Sequence, residues 1–209
     1  MKKSLKSSRP AARRTAWLVP SLLLGGVMLG SPVLAGAATT STTISSTLSS
    51  VISLLSSNGT VNANVTPTGS GAQTIASDTV TVSTNDASGY TLQLAETTGT
   101  GTLTSGGNTI PASSGTAASP VAMAVNTWGY RFDGLSGFGA GPTTAANSAA
   151  ISGTIKFAAV PATASPVTLK TTSGTASNDT STVWYGVAAN TSQASGTYTN
   201  SVTYTVTAN

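Results

Sequence analysis

Apolar and polar residues alternate along several stretches of this 209-residue chain. In the last stretch Tyr198, Val202, Tyr204 and Val206 share one parity, and threonines fill most of the other. A period of two is typical of a β-strand with one buried face, and β-branched threonine suits the exposed face. The pattern recurs at Val80 and Val82, at Tyr90, Leu92 and Leu94, and at Val183, Tyr185 and Val187.

Shorter apolar stretches extend the pattern, at residues 61–65, 121–125, 151–157 and 167–169. Turn-forming residues separate them, as in residues 85–89, 105–108, 137–142 and 192–196. We count roughly eight to ten short strands and no helix of ordinary length. This pattern predicts an all-β fold, either a sandwich or a barrel.

The sequence around Asn58-Gly59 predicts a local hairpin. Residues 51–57 and 60–66 flank this pair, which favours a two-residue type I′ turn. Ile44, Leu48, Val51 and Leu55 fall at helical spacing, but the residues between them are nearly all serine and threonine, which are poor helix formers. We therefore expect a strand at 51–55, preceded by a tether.

The first 37 residues have the organisation of a secretory signal peptide. Six basic residues precede an apolar run over 16–29, and small residues follow at Ala35-Gly36-Ala37, which marks the cleavage region. The apolar run is shorter than the roughly 20 residues that span a bilayer, so cleavage is favoured over retention as an anchor. The predicted domains are a signal peptide at 1–37, a Ser/Thr-rich tether or N-terminal strand at 38–50, and one sandwich domain at 51–209.

Charge and missing residue types exclude several classes of function. After the leader the chain has three basic and five acidic residues, a net charge of −2, so no basic patch is available for nucleic acid. The whole chain has no histidine and no cysteine, which rules out Ser-His-Asp triads, thiol nucleophiles, disulfides and zinc sites of the usual kind. We expect no enzyme activity, no cofactor, no metal, and membrane contact only through an uncleaved leader.

The remaining candidate site residues are aromatic or acidic. Trp128, Tyr130 and Phe132 share one face of a predicted strand and serve either as core or as a sugar-binding platform. Trp184 lies opposite Tyr185 in its strand, so one of the two should point outward as an interface candidate. Asp86 and Asp179 follow asparagines in turn-like contexts, where capping of a turn is the ordinary role.

Three segments carry a resemblance to known families. These are 83–92 (STNDASGYTL), 183–187 (VWYGV) and 195–206 (SGTYTNSVTYTV). They resemble secreted WxL-like bacterial surface proteins, spore coat protein U and pilus subunits, although the pilin cysteine pair and the paired Trp-x-Leu signature are absent. The resemblance implies an immunoglobulin-like antiparallel β-sandwich, with Tyr198 as a candidate tyrosine corner.

The sequence therefore predicts a secreted or cell-surface, non-enzymatic structural or adhesive protein of a bacterial envelope. Two alternatives remain open. One is a carbohydrate-binding module that uses the aromatic cluster, and the other is a pilus-like subunit that assembles by strand addition. Cell-wall glycans, host glycans and like subunits are the expected classes of partner.

Overall fold

The computed structural model describes residues 38–209, which contain twelve β-strands and no helix. Residues 38–51 precede the first strand without regular secondary structure, and Thr47–Asn209 form one compact unit. The proposed leader, with its cleavage region at Ala35 and Ala37, lies outside the described residues. The strands are β1 Ile52–Ser56, β2 Ala72–Thr84, β3 Tyr90–Glu96, β4 Thr102–Ser105, β5 Asn108–Pro111, β6 Val121–Ala122, β7 Thr127–Phe132, β8 Ala146–Ser148, β9 Lys156–Phe157, β10 Val167–Thr171, β11 Ala176–Ala189 and β12 Val202–Ala208.

The larger sheet is built on the long central strands β2 and β11. Its order is β1-β2-β11-β7, and β8 pairs with the start of β2 on the same side as β1. All of these pairings are antiparallel, and β2 matches β11 along almost its whole length, from Ala72 opposite Ala189 to Thr84 opposite Ala176. The alternating residues of β2 place Val80 and Val82 on the inner face, where both are fully buried.

The smaller sheet has the order β10-β3-β12, again antiparallel. Tyr90, Leu92 and Leu94 of β3 point toward the larger sheet and are fully buried. They pack in one cluster with Val183 and Tyr185 of β11. Two antiparallel sheets thus bury one core between them, as the alternation in the sequence predicts for an all-β chain.

A second apolar cluster covers the outer face of the larger sheet. It contains Ile75, Met123, Phe157, Trp184 and Ala188. Phe157 belongs to β9, which pairs with β6 as a small separate sheet, and Met123 follows β6. This layer explains why both faces of β11 are buried near its end, and it contradicts the expectation that Trp184 or Tyr185 is exposed.

The predicted hairpin at Asn58-Gly59 is wrong. β1 pairs with β2 rather than with residues 60–66, which form no strand. Asp78 of β2 accepts hydrogen bonds from the side chains of Ser56 and Ser57 and from the backbone N–H of Asn58, so a distant carboxylate fixes this bend. The local turn preference is overridden by pairing within the sheet.

Other strand predictions need correction in length. Residues 61–65 form no strand, residues 121–125 and 151–157 contribute only β6 and β9 of two residues each, and the last strand starts at Val202 rather than near Tyr198. The β4–β5 hairpin falls where the sequence suggested only a break, at Gly106-Gly107. Among residues 38–209, no helix is long and apolar enough to cross a membrane.

Candidate functional site: a groove at one end of the two sheets

A groove with a volume of about 880 Å³ lies at the end of β2 that is far from the β2–β3 turn. Residues 56–67 form one wall and residues 193–202 the other. Apolar and aromatic side chains from both sheets and from the β4–β5 hairpin contribute to its lining: Leu103, Ile110, Trp128, Tyr185, Val187 and Tyr204. The groove therefore reaches the core from the side.

The first wall has the side-chain pattern of a strand but not its hydrogen bonds. Val61, Ala63 and Val65 are half-buried, while Asn62 and Asn64 between them are exposed. Within the described residues, no backbone N–H of residues 60–66 donates a hydrogen bond, and these residues belong to no sheet. The backbone carbonyl of Asn64 accepts from Thr74 Oγ1 at 2.7 Å and from Asn147 Nδ2 at 3.3 Å, so side chains of β2 and β8 hold this wall in place of a strand ladder.

The second wall leads into β12. This strand pairs only with β3, so its other edge is free within the part of the chain that the structure describes. Before it, the Tyr198 hydroxyl donates to the backbone carbonyl of Ala194 at 2.8 Å and accepts from Gln193 Nε2 at 2.8 Å. Tyr198 thus holds the loop at 193–198 in shape by a bond back to the preceding backbone, which is the kind of bond a tyrosine corner makes.

The polar centre of the groove consists of Asp78 and two tyrosines. The phenol oxygens of Tyr185 and Tyr204 lie 2.7 Å apart. Burial raises the pKa of both phenols above the ordinary value of 10.0, and the nearby carboxylate of Asp78 adds to the rise. Both tyrosines are therefore neutral at physiological pH.

Asp78 is the one charged side chain among the described residues that line the groove. It is 2% exposed, and its carboxylate is occupied by the donors from Ser56, Ser57 and Asn58. Hydrolysis of a glycosidic bond ordinarily uses two carboxylates that face each other. This lining offers one, already engaged in fixing the wall, so the arrangement suits binding of an uncharged, extended ligand.

The structure places the predicted aromatic cluster in the core. Trp128, Tyr130 and Phe132 are all buried in the cluster between the sheets, on the face opposite Arg131. Trp128 donates from Nε1 to the carbonyl of Gly101 at 3.1 Å and contributes an edge to the groove. Tyr130 does not line the groove, and its buried hydroxyl has no hydrogen-bond partner among the described residues.

Trp184 lies on the other face of the larger sheet and is 6% exposed. It packs with Met123 and Phe157 and does not approach the groove. Next to it in the sheet, opposite in register, Arg131 is fully buried and donates to Asp133 at 2.6 Å and to the carbonyl of Phe138 at 3.0 Å. The outer face is thus a second packed layer that anchors the loop at 133–139.

The other carboxylates do not line the groove, although Glu96 Oε1 accepts from Nδ2 of the lining residue Asn200 at 3.4 Å. Asp86 accepts from the backbone N–H of Ser88 in the β2–β3 turn, as its turn-like sequence predicts. Asp179 does not cap a turn, since it lies within β11 and accepts from Tyr90 and Lys170. Among residues 38–209, no three acidic side chains come together in a way that could hold a metal ion.

The groove was not predicted from the sequence. Tyr185 and Tyr204 follow the alternation that places side chains on the inner face of a strand, and core residues follow the same alternation. Asp78 was the available hint, because a carboxylate shares the parity of Val80 and Val82 and therefore points inward. A buried carboxylate needs donors, and those donors form the wall of the groove.

Comparisons of this chain with protein-family models, with curated proteins and with solved structures found no match.

Proposed function

We propose that this chain is a non-enzymatic structural or adhesive protein, secreted from a bacterial cell or held in its envelope. The N-terminal sequence supports export, since charged, apolar and small-residue regions follow one another in the order of a signal peptide. After the leader, the composition supports a hydroxyl-rich surface with little charge. Such a surface is suited to packing and contact with neutral partners rather than to electrostatic attraction.

We further propose that the two sheets form an immunoglobulin-like sandwich. Antiparallel pairing throughout both sheets and a shared core between them support this assignment. The bond from the Tyr198 hydroxyl to the Ala194 carbonyl is a second supporting feature. Sandwiches of this kind often present loops and edges to partners at the ends of the sheets.

The groove is the observation that carries the proposed function. Its walls combine serine, threonine, asparagine and glutamine with apolar residues such as Val61 and Val65 and carry no cation, and its apolar lining reaches into the core. A cleft of this composition favours an uncharged, extended partner over a phosphorylated or acidic one. Contact with a polymer of the cell surface, of peptide or of sugar, fits this composition.

Fractionation of the native cell into medium, wall and membrane tests the proposal. We expect the chain outside the cytoplasm, and its mass should be that of a chain whose first residue is at or near Ala38. A control variant carries Leu22→Arg and Leu23→Arg, which interrupt the apolar part of the leader and should retain the chain inside. A wild-type chain that stays in the cytoplasm with its first residues intact contradicts the proposal.

A carbohydrate-binding module is the second candidate, because Trp128 lines the groove together with Asn62 and Asn200, which carry amide side chains. Aromatic edges together with amides are suited to neutral sugars. The test is a change in tryptophan fluorescence on adding a linear tetramer of N-acetylglucosamine. Binding should weaken in Asn62→Ala and remain unchanged in Asn108→Ala, which is exposed on β5 outside the groove.

A further inference from the structure

We propose that Asn58 is a site of self-modification: the backbone nitrogen of Gly59 attacks the Asn58 side-chain amide, and the aspartate and isoaspartate that result release the groove wall at 56–59. The reaction needs only water, so it does not depend on export or adhesion. It acts on the same groove that carries the proposed function, and it would make the groove of an older chain differ from that of a new one.

Asn58 is the one asparagine of the chain that a glycine follows. The asparagines at 62, 64, 85, 108, 126, 147, 178, 190 and 200 all precede a residue with a side chain. Glycine has no Cβ, so its backbone nitrogen is the least hindered, and its backbone bends most easily into the conformation that closes a ring. The sequence therefore favours attack by the following nitrogen at Asn58 over any of these other asparagines.

The structure leaves the Asn58-Gly59 pair free to react. Residues 57–60 belong to no strand, and Asn58 and Gly59 are both exposed. Within the described residues, the Gly59 N–H donates no hydrogen bond, and a Cβ built on Gly59 would meet no atom within 4 Å beyond its chain neighbours. Neither the sheet nor a neighbouring side chain therefore holds the Gly59 nitrogen away from the Asn58 amide.

The reaction has two steps and involves no oxidation or reduction. The Gly59 nitrogen loses its proton and forms a bond to Asn58 Cγ, and the bond from Cγ to Nδ2 breaks, so that ammonia leaves and a five-membered imide remains. Water then opens the imide. Attack at Cγ gives aspartate, whereas attack at the Asn58 backbone carbonyl breaks the original peptide bond and gives isoaspartate, in which the chain runs through Cγ.

Asn58 helps to hold the groove wall through both its backbone and its side chain. Its backbone N–H donates to Asp78 Oδ1 at 3.0 Å. Its side-chain Nδ2 donates to the carbonyl of Ser77 at 3.2 Å and to Ser57 Oγ at 3.3 Å. Because Ser77 and Asp78 belong to β2, these bonds join the bend at 56–59 to the larger sheet.

Conversion removes these contacts and adds a charge where a charge is costly. A carboxylate accepts hydrogen bonds but does not donate them, so the two bonds from Nδ2 are lost. The new negative charge lies close to the Asp78 carboxylate, which is 2% exposed and forms no salt bridge among residues 38–209. Like charges at close range repel, most strongly where water is excluded. We therefore expect the wall to move away from β2.

Mass spectrometry of the folded chain tests the reaction. The chain purified from the native cell is kept for several days in mildly alkaline buffer without denaturant and then mapped as peptic peptides. The peptide that contains Asn58 should gain about one mass unit, with isoaspartate identified by electron-transfer fragmentation. Peptides with the other asparagines should change at least about tenfold more slowly. If Asn58 in the folded chain stays intact, the proposal is wrong.

Gly59→Ala tests the role of the attacking nitrogen. The added methyl group crowds this nitrogen but otherwise fills open space, so conversion at Asn58 should slow by about tenfold or more. Gly69→Ala is the matched control, because a Cβ there also meets nothing within 4 Å, and it should leave the rate at Asn58 unchanged. Equal rates in the two variants would overturn the proposed route.

Amide hydrogen exchange tests the release of the wall. The N–H of residue 58 donates to Asp78, and the N–H of Thr79 donates to Ser57 Oγ at 2.9 Å, so both report on the bend. Asn58→Asp, which carries one of the two products, should make both exchange about tenfold faster. Asn62→Asp adds the same charge at an exposed position of the same wall and should leave both rates unchanged. Equal exchange in the two variants overturns the proposed effect on the groove.

The outcomes distinguish this inference from the proposed function. The variant with Leu22→Arg and Leu23→Arg should convert at Asn58 as fast as the wild-type chain once both are purified, because the reaction requires no export. A chain that is never exported but converts at Asn58 removes the proposed location and supports the self-modification. A chain that is exported but keeps Asn58 intact removes the self-modification and leaves a surface protein with an unchanging groove.

Discussion

The hydroxyls of Tyr185 and Tyr204 lie 2.7 Å apart and connect the larger sheet to the smaller one inside the groove. Tyr185 is almost fully buried, whereas Tyr204 is half-buried. Loss of one partner therefore has unequal consequences. Removing the Tyr204 hydroxyl leaves a buried donor or acceptor on Tyr185, whereas water can reach the Tyr204 hydroxyl when Tyr185 is changed.

We predict that Tyr204→Phe lowers the free energy of unfolding by about 1–2 kcal/mol and that Tyr185→Phe lowers it by less. Urea unfolding of both variants and of the double variant measures the coupling between the two hydroxyls. The double variant should be more stable than the sum of the two single losses implies, because no hydroxyl is left without a partner. Strictly additive losses would show that the two hydroxyls do not interact.

The Tyr130 hydroxyl differs from the paired hydroxyls of Tyr185 and Tyr204. Its hydroxyl is buried and has no hydrogen-bond partner within the described residues. Tyr130→Phe removes an unpaired polar group and keeps the ring in the core, so stability should be unchanged or should increase by up to about 1 kcal/mol. Urea unfolding in parallel with Tyr204→Phe checks this. A clear loss of stability would mean that the Tyr130 hydroxyl forms a hydrogen bond in solution.

The core strands could be predicted from sequence because alternation and burial agree there. β2, β3 and β11 include the predicted stretches around Val80, Leu92 and Tyr185, and each places those residues inward. Alternation alone does not show which strand pairs with which. The partner of β1 is set by Asp78, more than twenty residues away, and not by the local Asn58-Gly59 turn.

The second packed layer was harder to foresee. Trp184 and Tyr185 are adjacent in sequence, and alternation exposes one of them only when one face of the sheet meets water. Here β6 and β9, each of two residues, bring Met123 and Phe157 over the outer face. Strands this short give almost no periodic signal. The groove was missed for a related reason, since residues 60–66 have the pattern of a strand but no partner.

Gly186 tests the close packing of this second layer. A Cβ at this position would lie 2.7 Å from both Met123 Cε and ring atoms of Phe157. Gly186→Ala should therefore lower the free energy of unfolding by about 1–3 kcal/mol through overpacking. Gly174→Ala is the matched control, because a Cβ there meets nothing within 4 Å, and thermal unfolding of both variants measures the difference. Equal stability of the two variants would show that Met123 and Phe157 can shift to accept the added methyl group without loss of stability.

Stability should fall in alkaline solution because buried phenols resist ionisation. Burial raises the pKa of Tyr130 to about 12, and it also raises the pKa values of Tyr90, Tyr185 and Tyr204 above 10.0. A raised pKa in the folded state contributes stability that is complete below the unfolded value of 10.0 and is lost as the pH rises through the folded value. Urea midpoints between pH 8 and 11.5 should be flat up to about pH 10 and should then decline. Tyr130→Phe should decline less steeply, and an identical slope would contradict this prediction.

Asp179 should make stability sensitive to acid. Partial burial acts to raise the pKa of its carboxyl, but hydrogen bonds from Lys170 at 2.6 Å and from Tyr90 at 2.7 Å outweigh this effect and hold the pKa below 3.8. A lowered pKa in the folded state contributes stability that is present above pH 3.8 and is lost as the pH falls through the folded value. Because both side chains are partly exposed, the ion pair should contribute less than about 1 kcal/mol.

Lys170→Met should therefore reduce the loss of stability below pH 3.8 relative to the wild-type chain, and high salt should reduce the same loss in the wild type. Lys156→Met is the matched control, because Lys156 is exposed and forms no salt bridge among residues 38–209. Urea midpoints measured from pH 5 down to pH 2.5 compare the three chains. If Lys170→Met and Lys156→Met follow the same acid profile, the contact between Lys170 and Asp179 does not hold down the pKa of that carboxyl in solution.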